Sequence, residues 1–360
     1  IISHHLCHAA STVFSSDFNE GSFITIDGSG HSLLTYEDDF TGVENNTIGY
    51  FNKKNNMFRL YNNHNNLNGF GLYYSFMSFK IYGKMIGQEI VMDDEQRREG
   101  IEGKVMGLCG YGKDYKFTPD DNHFKMMDDI YDEGYPYIRL ATEFADTFFD
   151  KKPEHQAYIT QKNFEQGLLT HITALKDCGY LDDNLCLAGG TFLNVLGNSV
   201  LKKSGLFKGI HIPPYTNDSG LHFGAACYAA YKNKETIELP HNIALLGKEY
   251  SDDEIKFALD KAKVQYKRYD NFEKVCEITA DKLNEGEIIG WFQGRSEFGP
   301  RALGSRSLLM HPGPAENKDI MNERVKHREY WRPFAGIILE EHLTDYFNED
   351  YNSPYMVYSL

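Results

Sequence analysis

The sequence predicts two α/β domains in succession. Three observations carry this. The 360 residues are too many for one ordinary core. Strand-like and helix-like stretches alternate along most of the chain. That alternation breaks around Glu238-Leu239-Pro240-His241, after which Ser251-Asp252-Asp253-Glu254 has the pattern of a new helix cap. The boundary is therefore set at 1–240 and 241–360, with the second domain the smaller.

In the first domain, His4 to Phe14 reads as a helix. Phe23 to Ile26 and Ser32 to Tyr36 read as a hairpin joined by Asp27-Gly28-Ser29-Gly30. Asn45 to Asn68 is so rich in asparagine that turn chemistry dominates, and irregular turns with short strands are expected. Gly69 to Gly83 carries apolar residues at helical spacing, and Tyr137 to Ala174 reads as one or two long amphipathic helices. A strand ending at Ala188, the turn Gly189-Gly190, a helix carrying Asn194, a strand near Ile210 and a helix from Asp218 to Lys232 complete the unit. Such an order places a ligand crevice at the strand ends.

The second domain reads as a helix to about Ala262, a strand Gln265 to Tyr269, a helix Glu273 to Asn284 and a strand Ile288 to Phe292. A basic segment, a helix Ala315 to Val325 and a strand Phe334 to Glu340 follow. The chain starts Ile1-Ile2-Ser3 and stops at Tyr355 to Tyr358, in what reads as another strand. It looks like a piece of a longer protein, with both domains incomplete.

Composition narrows the function. With 52 acidic against 37 basic residues the formal charge is −15, a field that repels nucleic acid. Hydrophobic residues make up 41% of the chain, yet no run approaches the length of a bilayer span, so no membrane role is expected. The six cysteines are scattered without a C-x-x-C pair and read as reduced thiols of a cytoplasmic protein. Oligomeric state is not legible.

Against that acidic background, Gly294 to Arg332 concentrates Arg295, Arg301, Arg306, Arg324, Lys326, Arg328 and Arg332 among glycines and prolines. Glycines let backbone approach a ligand, and planar guanidiniums clasp phosphate or carboxylate oxygens in pairs. Because Phe298, Leu303, Leu308, Leu309 and Met310 are interleaved with the cations, the segment is expected to enter the interior. Unpaired guanidiniums there would require an anionic partner.

A second constellation sits near the start. His4 and His8 are four apart, which on a helix sets both imidazoles on one face, about 6 Å apart at Cβ. Asp27, in the turn after a strand, and Asp218, in Asn217-Asp218-Ser219-Gly220, could complete a His2Asp2 ligand set. Such nitrogen and oxygen donors suit Fe(II), Mn(II) or Zn(II). By spacing alone a chance H-x-x-x-H with turn aspartates is the stronger reading. His5, on another face of the helix, is given a structural or supporting role.

Five blocks together resemble the O-carbamoyltransferase family, which includes nodulation carbamoyltransferases and those that decorate antibiotics. They are His4-x-x-x-His8-Ala9; Gly103-Lys104-Val105-Met106-Gly107-Leu108-Cys109-Gly110-Tyr111-Gly112; Gly189-Gly190-Thr191-Phe192-Leu193-Asn194; Asn217-Asp218-Ser219-Gly220 with Gly224-Ala225-Ala226; and the long run from Gly290 to Ser307 followed by Lys326 to Phe334. The resemblance implies an actin-like ATPase (Kae1-like) domain followed by a smaller YrdC-like α/β domain. It implies that carbamoyl phosphate and ATP yield carbamoyl adenylate in the second domain. The carbamoyl group then passes to an acceptor hydroxyl of a small molecule or glycoside in the first.

On this resemblance His4, His8, Asp27 and Asp218 are the metal ligands, with Fe(II) expected, Zn or Mn as alternatives, and Mg as a possible companion of ATP. Lys326, Arg328 and Arg301 are the expected catalytic cations. Arg295, Arg306 and Arg332 are expected to hold phosphates, and Gly189, Gly190 and Asn194 to hold the adenylate. Lys104 is left between an anion contact and a helix-capping role. Relatives begin with an additional strand and hairpin bearing a Gly-His-Asp type motif that this sequence lacks, so the expectation is of ligand binding without full turnover. Two other readings remain open: tRNA threonylcarbamoyl transfer, which the acidic charge disfavours, and a non-catalytic nucleotide- or anion-binding module.

Overall fold

A computed structural model describes residues 2–28, 32–34, 40–43, 46–64, 70–87, 100–118, 148–349 and 351–360. The chain divides into two compact units, one of Ile1–Glu238 with Val357–Leu360 and one of Leu239–Met356.

The first unit is built on a mixed five-stranded sheet of order β5-β4-β1-β6-β7. Its strands are β1 (Glu20–Ile26), β4 (Asn46–Asn52), β5 (Met57–His64), β6 (Asn184–Ala188) and β7 (Gly209–His211), while β2 (Ser32–Leu34) and β3 (Phe40–Val43) pair separately. The central β1 runs antiparallel to β4 and parallel to β6. Every residue of β1 from Gly21 to Ile26 is buried, as befits a strand covered on both faces.

Helix α1 (His4–Ser15) starts where the Ser3 hydroxyl accepts the Leu6 N–H. Ala9 and Val13, four residues apart, lie in one buried cluster with Phe23 of β1, Phe51 of β4 and Cys186 of β6. Beyond them follow α2 (Phe70–Ile86), α3 (Ile101–Leu108), α4 (Pro153–Asp177), α5 (Val195–Lys203) and α6 (Leu221–Lys232). Helix α6 packs along α1 so closely that a Cβ on Gly224 would collide with the Cys7 carbonyl. The end of the unit closes back on itself: Asn198 Nδ2 donates to Val357 O at 2.8 Å, and Ser359 N donates to Ser199 Oγ at 2.8 Å.

In the second unit, α7 (Asp252–Ala262) opens on a complete capping box between Ser251 and Glu254. Helix α8 (Phe272–Asn284), capped by Asn271, leads to the antiparallel pair β8 (Ile289–Phe292) and β9 (Arg306–Leu309). The short helices α9 (Glu316–Ile320) and α10 (Leu343–Tyr346) follow, with a π-helical turn at Met321–Lys326 continuing α9. No residue of α7 or α8 is buried, and Phe257 is 68% exposed.

Several expectations are corrected. Phe23–Ile26 does not form a hairpin with Ser32–Leu34: both edges of β1 are already taken, by β4 and β6. The asparagine-rich stretch is a β-hairpin with one bulge over its described part, β4 to β5. Its turn chemistry is confined to Lys53–Asn56, where Asn56 takes a left-handed φ of 48°. Residues 265–269, 334–340 and 355–358 form no strands; strand-like in composition, they find no partner strand among the described residues. The long helix begins at Pro153, which fits the first helical turn. The part of that expectation over 137–147, and those over 29–30, 35–36, 45 and 65–68, lie outside the described residues. Among those residues no helix is long and apolar enough to cross a membrane.

Candidate metal and anion sites

Three backbone devices bring distant residues to the start of α1. The helix itself stacks His4 over His8, with ring centroids 4.7 Å apart. The end of β1 delivers Asp27, whose Oδ1 accepts the Gly28 N–H at 2.7 Å. The close approach of α6 to α1 through Gly224 delivers Asp218 from the 3-10 turn Asp218–Gly220.

The ligand atoms of His4, His8, Asp27 and Asp218 all lie within 4.8 Å of one another. His4 Nε2 and His8 Nε2 are 3.1 Å apart, and stand 3.3 and 3.0 Å from Asp27 Oδ2. Their distances to Asp218 Oδ1 are 3.5 and 3.3 Å. Donors gathered around one ion at about 2.0–2.2 Å are separated by about 3.0–3.5 Å, depending on the angle between them, so this donor set fits a single divalent cation. The chemistry agrees: imidazole lone pairs and carboxylate oxygens point at a common centre, a repulsive arrangement unless protons or a cation lie between them.

Burial alone would push the His8 imidazole down, but hydrogen bonds and charge from Asp218 and Asp27 outweigh it and hold it up at about 9. Burial would likewise raise Asp27. The hydrogen bonds from His4 and His8, the His8 charge and the Gly28 N–H prevail and keep its carboxyl well below the usual carboxylate range. His8 is fully buried whereas the Asp218 side chain is 66% exposed, so the cage opens on its Asp218 side. His5 lies beneath it, fully buried, with Nδ1 2.8 Å from Thr25 Oγ1, tying α1 to β1.

Gly189 and Gly190 occupy the strand-to-helix turn beside this cage. Gly189 has φ of +103°, and a Cβ there would collide with the Ile26 carbonyl. A Cβ on Gly190 would lie 2.9 Å from Asp27 Oδ1. Both glycines therefore let the turn close onto the strand that carries a metal-ligand candidate. Asn194 is buried and caps α5, its Oδ1 accepting Gly197 N–H at 2.9 Å. Its amide also pairs reciprocally with Gln161, both contacts 3.0 Å, and Gln161 in turn accepts Tyr74 OH at 2.8 Å. The Asn194 amide oxygen and one amide hydrogen are thus committed within the fold. Lys104 lies mid-helix in α3, where Nζ donates to Tyr82 Oη at 3.2 Å and stands 4.5 Å over the same ring.

In the second unit the basic segment stays at or near the surface rather than entering the interior, a correction to expectation. Arg295, Arg324 and Lys326 are exposed; Arg301, Arg306, Arg328 and Arg332 are half-buried. The reason is that the apolar residues between them flank a two-stranded ribbon instead of filling a core.

The segment still concentrates unbalanced positive charge. Arg301 makes no hydrogen bond or ion pair with a described residue, and burial together with the neighbouring Arg332 holds its guanidinium below the ordinary arginine value. Arg328 is shifted the same way, by burial and by Arg332, against a weaker opposing pull from Glu329. Its Nε donates to Asn322 Oδ1 at 2.6 Å, and the guanidinium lies 4.5 Å from the Phe334 ring centre. The Arg332 to Glu329 pair is long, 3.8 Å.

Arg306 is spent differently. It stacks 3.4 Å from the Phe292 ring centre and donates to the carbonyls of Gln293, Gly294 and Ser305. Arg301, Arg328 and Arg332 thus influence one another electrostatically, while Arg295 and Lys326 stand exposed without a hydrogen bond or ion pair to a described residue.

Sequence reasoning missed Glu297. Its Oε1 accepts the N–H groups of Leu303, Ser305 and Arg306 at 3.0, 2.6 and 3.0 Å, so one carboxylate shapes the loop that carries Arg301. Burial would raise its pKa, but these backbone hydrogen bonds lower it. A single acid within the run from Arg295 through Arg301 to Arg306 was the available signal.

The family model for the carbamoyltransferase N-terminus matches residues 1–227, and that for the carbamoyltransferase C-terminus matches residues 280–360. The chain belongs to the carbamoyltransferase family. Among family-related proteins, an uncharacterized protein of Synechocystis is 31% identical across 98% of this chain and 57% of its own length. Nodulation protein NolNO of Sinorhizobium fredii is 29% identical across 96% of this chain and 48% of its own length. The chain thus spans about half the length of the curated relatives it matches. A solved structure of full-length HypF in its phosphate- and nucleotide-bound form is 16% identical, covering 65% of this chain and 36% of that one. Its TM-score is 0.33, a likeness too low to bear on the fold.

Proposed function

We propose that the protein to which this chain belongs is an ATP-dependent O-carbamoyltransferase with an actin-like (Kae1-like) first domain over 1–240 and a YrdC-like second domain over 241–360. The convergence of four ligand atoms from α1, β1 and the turn before α6 supports this reading most strongly. It is what a metal-assisted transfer site needs, and it lies within the part of the chain matched by the family's N-terminal model.

The chemistry divides between the units. In the second, Arg301, Arg328 and Arg332 present cationic charge to the phosphates of carbamoyl phosphate and ATP, with Lys326, Arg295 and Arg306 on the same segment. Water releases phosphate from carbamoyl phosphate. The resulting carbamate attacks the α-phosphorus of ATP, giving carbamoyl adenylate and pyrophosphate. In the first unit an acceptor hydroxyl of a small molecule or glycoside attacks the carbamoyl carbon, AMP leaves, and the hydroxyl proton passes to solvent or a base.

His4, His8, Asp27 and Asp218 would hold the metal, Fe(II) by preference with Zn or Mn as alternatives. Bound there, it supplies Lewis acidity toward a carbonyl, phosphate or hydroxyl oxygen. Gly189 and Gly190 keep the backbone low beside that site, and Asn194 with Gln161 fixes the following helix.

Metal analysis and a carbamoyl-phosphate-dependent ATP–pyrophosphate exchange assay on the full-length protein test the reading. His8→Ala should abolish metal binding and leave exchange intact, and Arg328→Ala should do the reverse. Loss of both activities in either variant would contradict the division of labour. Exchange that requires tRNA would redirect the assignment to threonylcarbamoyl transfer, and its absence under all conditions would leave a binding module.

A further inference from the structure

A second cleft of about 210 Å³ opens on the first unit, away from the histidine and aspartate cage. Its lining includes Tyr61 on β5, Tyr180 on the loop between α4 and β6, and Tyr50, Arg59 and Asp182. The Asp182 N–H donates to Ser22 Oγ at 2.9 Å, and Ser22 pairs with Tyr50 across β1 and β4. The cleft therefore sits level with Ser22, five residues or about 17 Å along the strand direction from Asp27.

Both tyrosines are held in place by backbone devices. On β5 the register slips between Ile48 and Gly49. Asn62 opposes Ile48 and Leu60 opposes Gly49, which leaves Tyr61 as the extra, bulged residue. Bulges of this kind re-aim a side chain. Tyr180 follows the C-terminus of α4, where Gly179 turns left-handed at φ 78°. Gly179 N–H donates to Lys176 O and Tyr180 N–H donates to Leu175 O, a paired closure that fixes the direction in which Tyr180 leaves the helix.

The two rings stand 6.3 Å apart at 59°, and the residues remain 47% and 51% exposed. Neither Arg59 nor Asp182 makes a side-chain hydrogen bond or ion pair with a described residue. This is a preformed wall of two aromatic faces flanked by a free fork of donors and a free carboxylate.

We infer that this cleft is a binding site for a single pyranose ring of a saccharide. A sugar ring offers a face of C–H groups that packs on an aromatic plane and a rim of hydroxyls that accept from a guanidinium and donate to a carboxylate. The tilt of the rings leaves no parallel slot in which a flat nucleobase could be sandwiched, and the net charge of −15 disfavours a polyanion. The volume matches one ring rather than a larger ligand. The site is separate from the proposed transfer chemistry and stands or falls independently of it.

Saturation-transfer NMR on the intact chain tests this, with methyl β-glucopyranoside, methyl N-acetyl-β-glucosaminide and AMP as probes. The ring protons of at least one glycoside should receive saturation. Tyr180→Ala and Tyr61→Ala should each weaken binding by about fivefold, the worth of one aromatic contact. Tyr180→Phe, which keeps the ring, should bind like wild type, and Arg59→Met should weaken binding without changing the melting temperature. Three results would overturn the assignment: no transfer to either glycoside, transfer that survives Tyr180→Ala in a folded protein, or AMP binding that is lost with the tyrosines while the sugars are ignored.

Discussion

Replacing Gly190 with alanine tests how tightly the Gly189-Gly190 turn shapes the metal-ligand candidates. The added Cβ would lie 2.9 Å from Asp27 Oδ1, about half an ångström inside ordinary contact. Asp27 has little room to retreat, because the same oxygen accepts the Gly28 N–H at 2.7 Å and Oδ2 faces both imidazoles at 3.0 and 3.3 Å. Metal sites tolerate ligand displacements of only about 0.2 Å, so a shift of this size should cost about tenfold to a hundredfold in affinity, or about 1.4–2.7 kcal/mol. Gly28→Ala is the control, since a Cβ there meets nothing within 4 Å. Anaerobic titration of the metal-stripped protein with Fe(II), and with Zn(II) in a parallel series, reads both variants. Wild-type affinity in Gly190→Ala, or an equal loss in Gly28→Ala, would refute the steric argument.

Other outcomes are open to direct measurement. Arg301→Gln should raise KM for carbamoyl phosphate or ATP by about ten- to a hundredfold, the worth of a charge-assisted contact. Because Arg301 has no counter-charge among the described residues and stands near Arg332, the same change should leave the melting temperature level or higher; a drop of several degrees would count against an unpaired cation. Glu297→Ala should speed hydrogen exchange at the amides of Leu303, Ser305 and Arg306 by at least about tenfold, the loss of roughly one charged acceptor's worth of bonding, with Glu297→Gln in between. Unchanged exchange would remove its role in shaping the loop. His211 is pushed down to about 3 from 6.5 by burial and by Lys53. The unfolded chain therefore takes up a proton that the fold refuses, and stability should fall as pH drops from 6.5 toward 3. At pH 5 this single site accounts for about 2 kcal/mol, which His211→Gln should abolish in urea unfolding; parallel pH profiles for the two proteins would contradict it.

Much of the first unit was legible in its sequence because local signals and global packing agree there. The four-residue spacing of His4 and His8 survives as a shared helical face, and the apolar run of β1 survives as a buried strand. What spacing could not disclose is which strand β1 would pair with, since pairing depends on partners 163 residues away, such as Leu185 and Cys186. Nor could it separate the two uses of a glycine. Gly189 and Gly190 suggested close approach to a ligand, and the side on which a Cβ would stand at each is occupied by the chain's own Ile26 and Asp27. The second unit was read less well. Strand-like composition at 265–269 and 334–340 promises strands only where a neighbouring strand exists, and interleaved leucines promise burial only where a second layer covers them. Glu297 escaped attention because its acceptors' partners are backbone amides, which carry no mark in a sequence.

The short segment Val357–Leu360 returns to the first unit, where Val357 and Ser359 hydrogen-bond Asn198 and Ser199. In topological terms the second unit therefore lies between two segments of the first, rather than after it as an appendage. After a single protease nick between 238 and 239, the two fragments would be held together only by the noncovalent contacts of Val357–Leu360. Detaching residues 239–356 requires a second cut near Met356, and that cut would also strip α5 of the two backbone partners its buried Asn198 and Ser199 rely on. Domain-dissection experiments on this chain should accordingly keep the last four residues with the first unit, spliced through a short linker across the excised stretch.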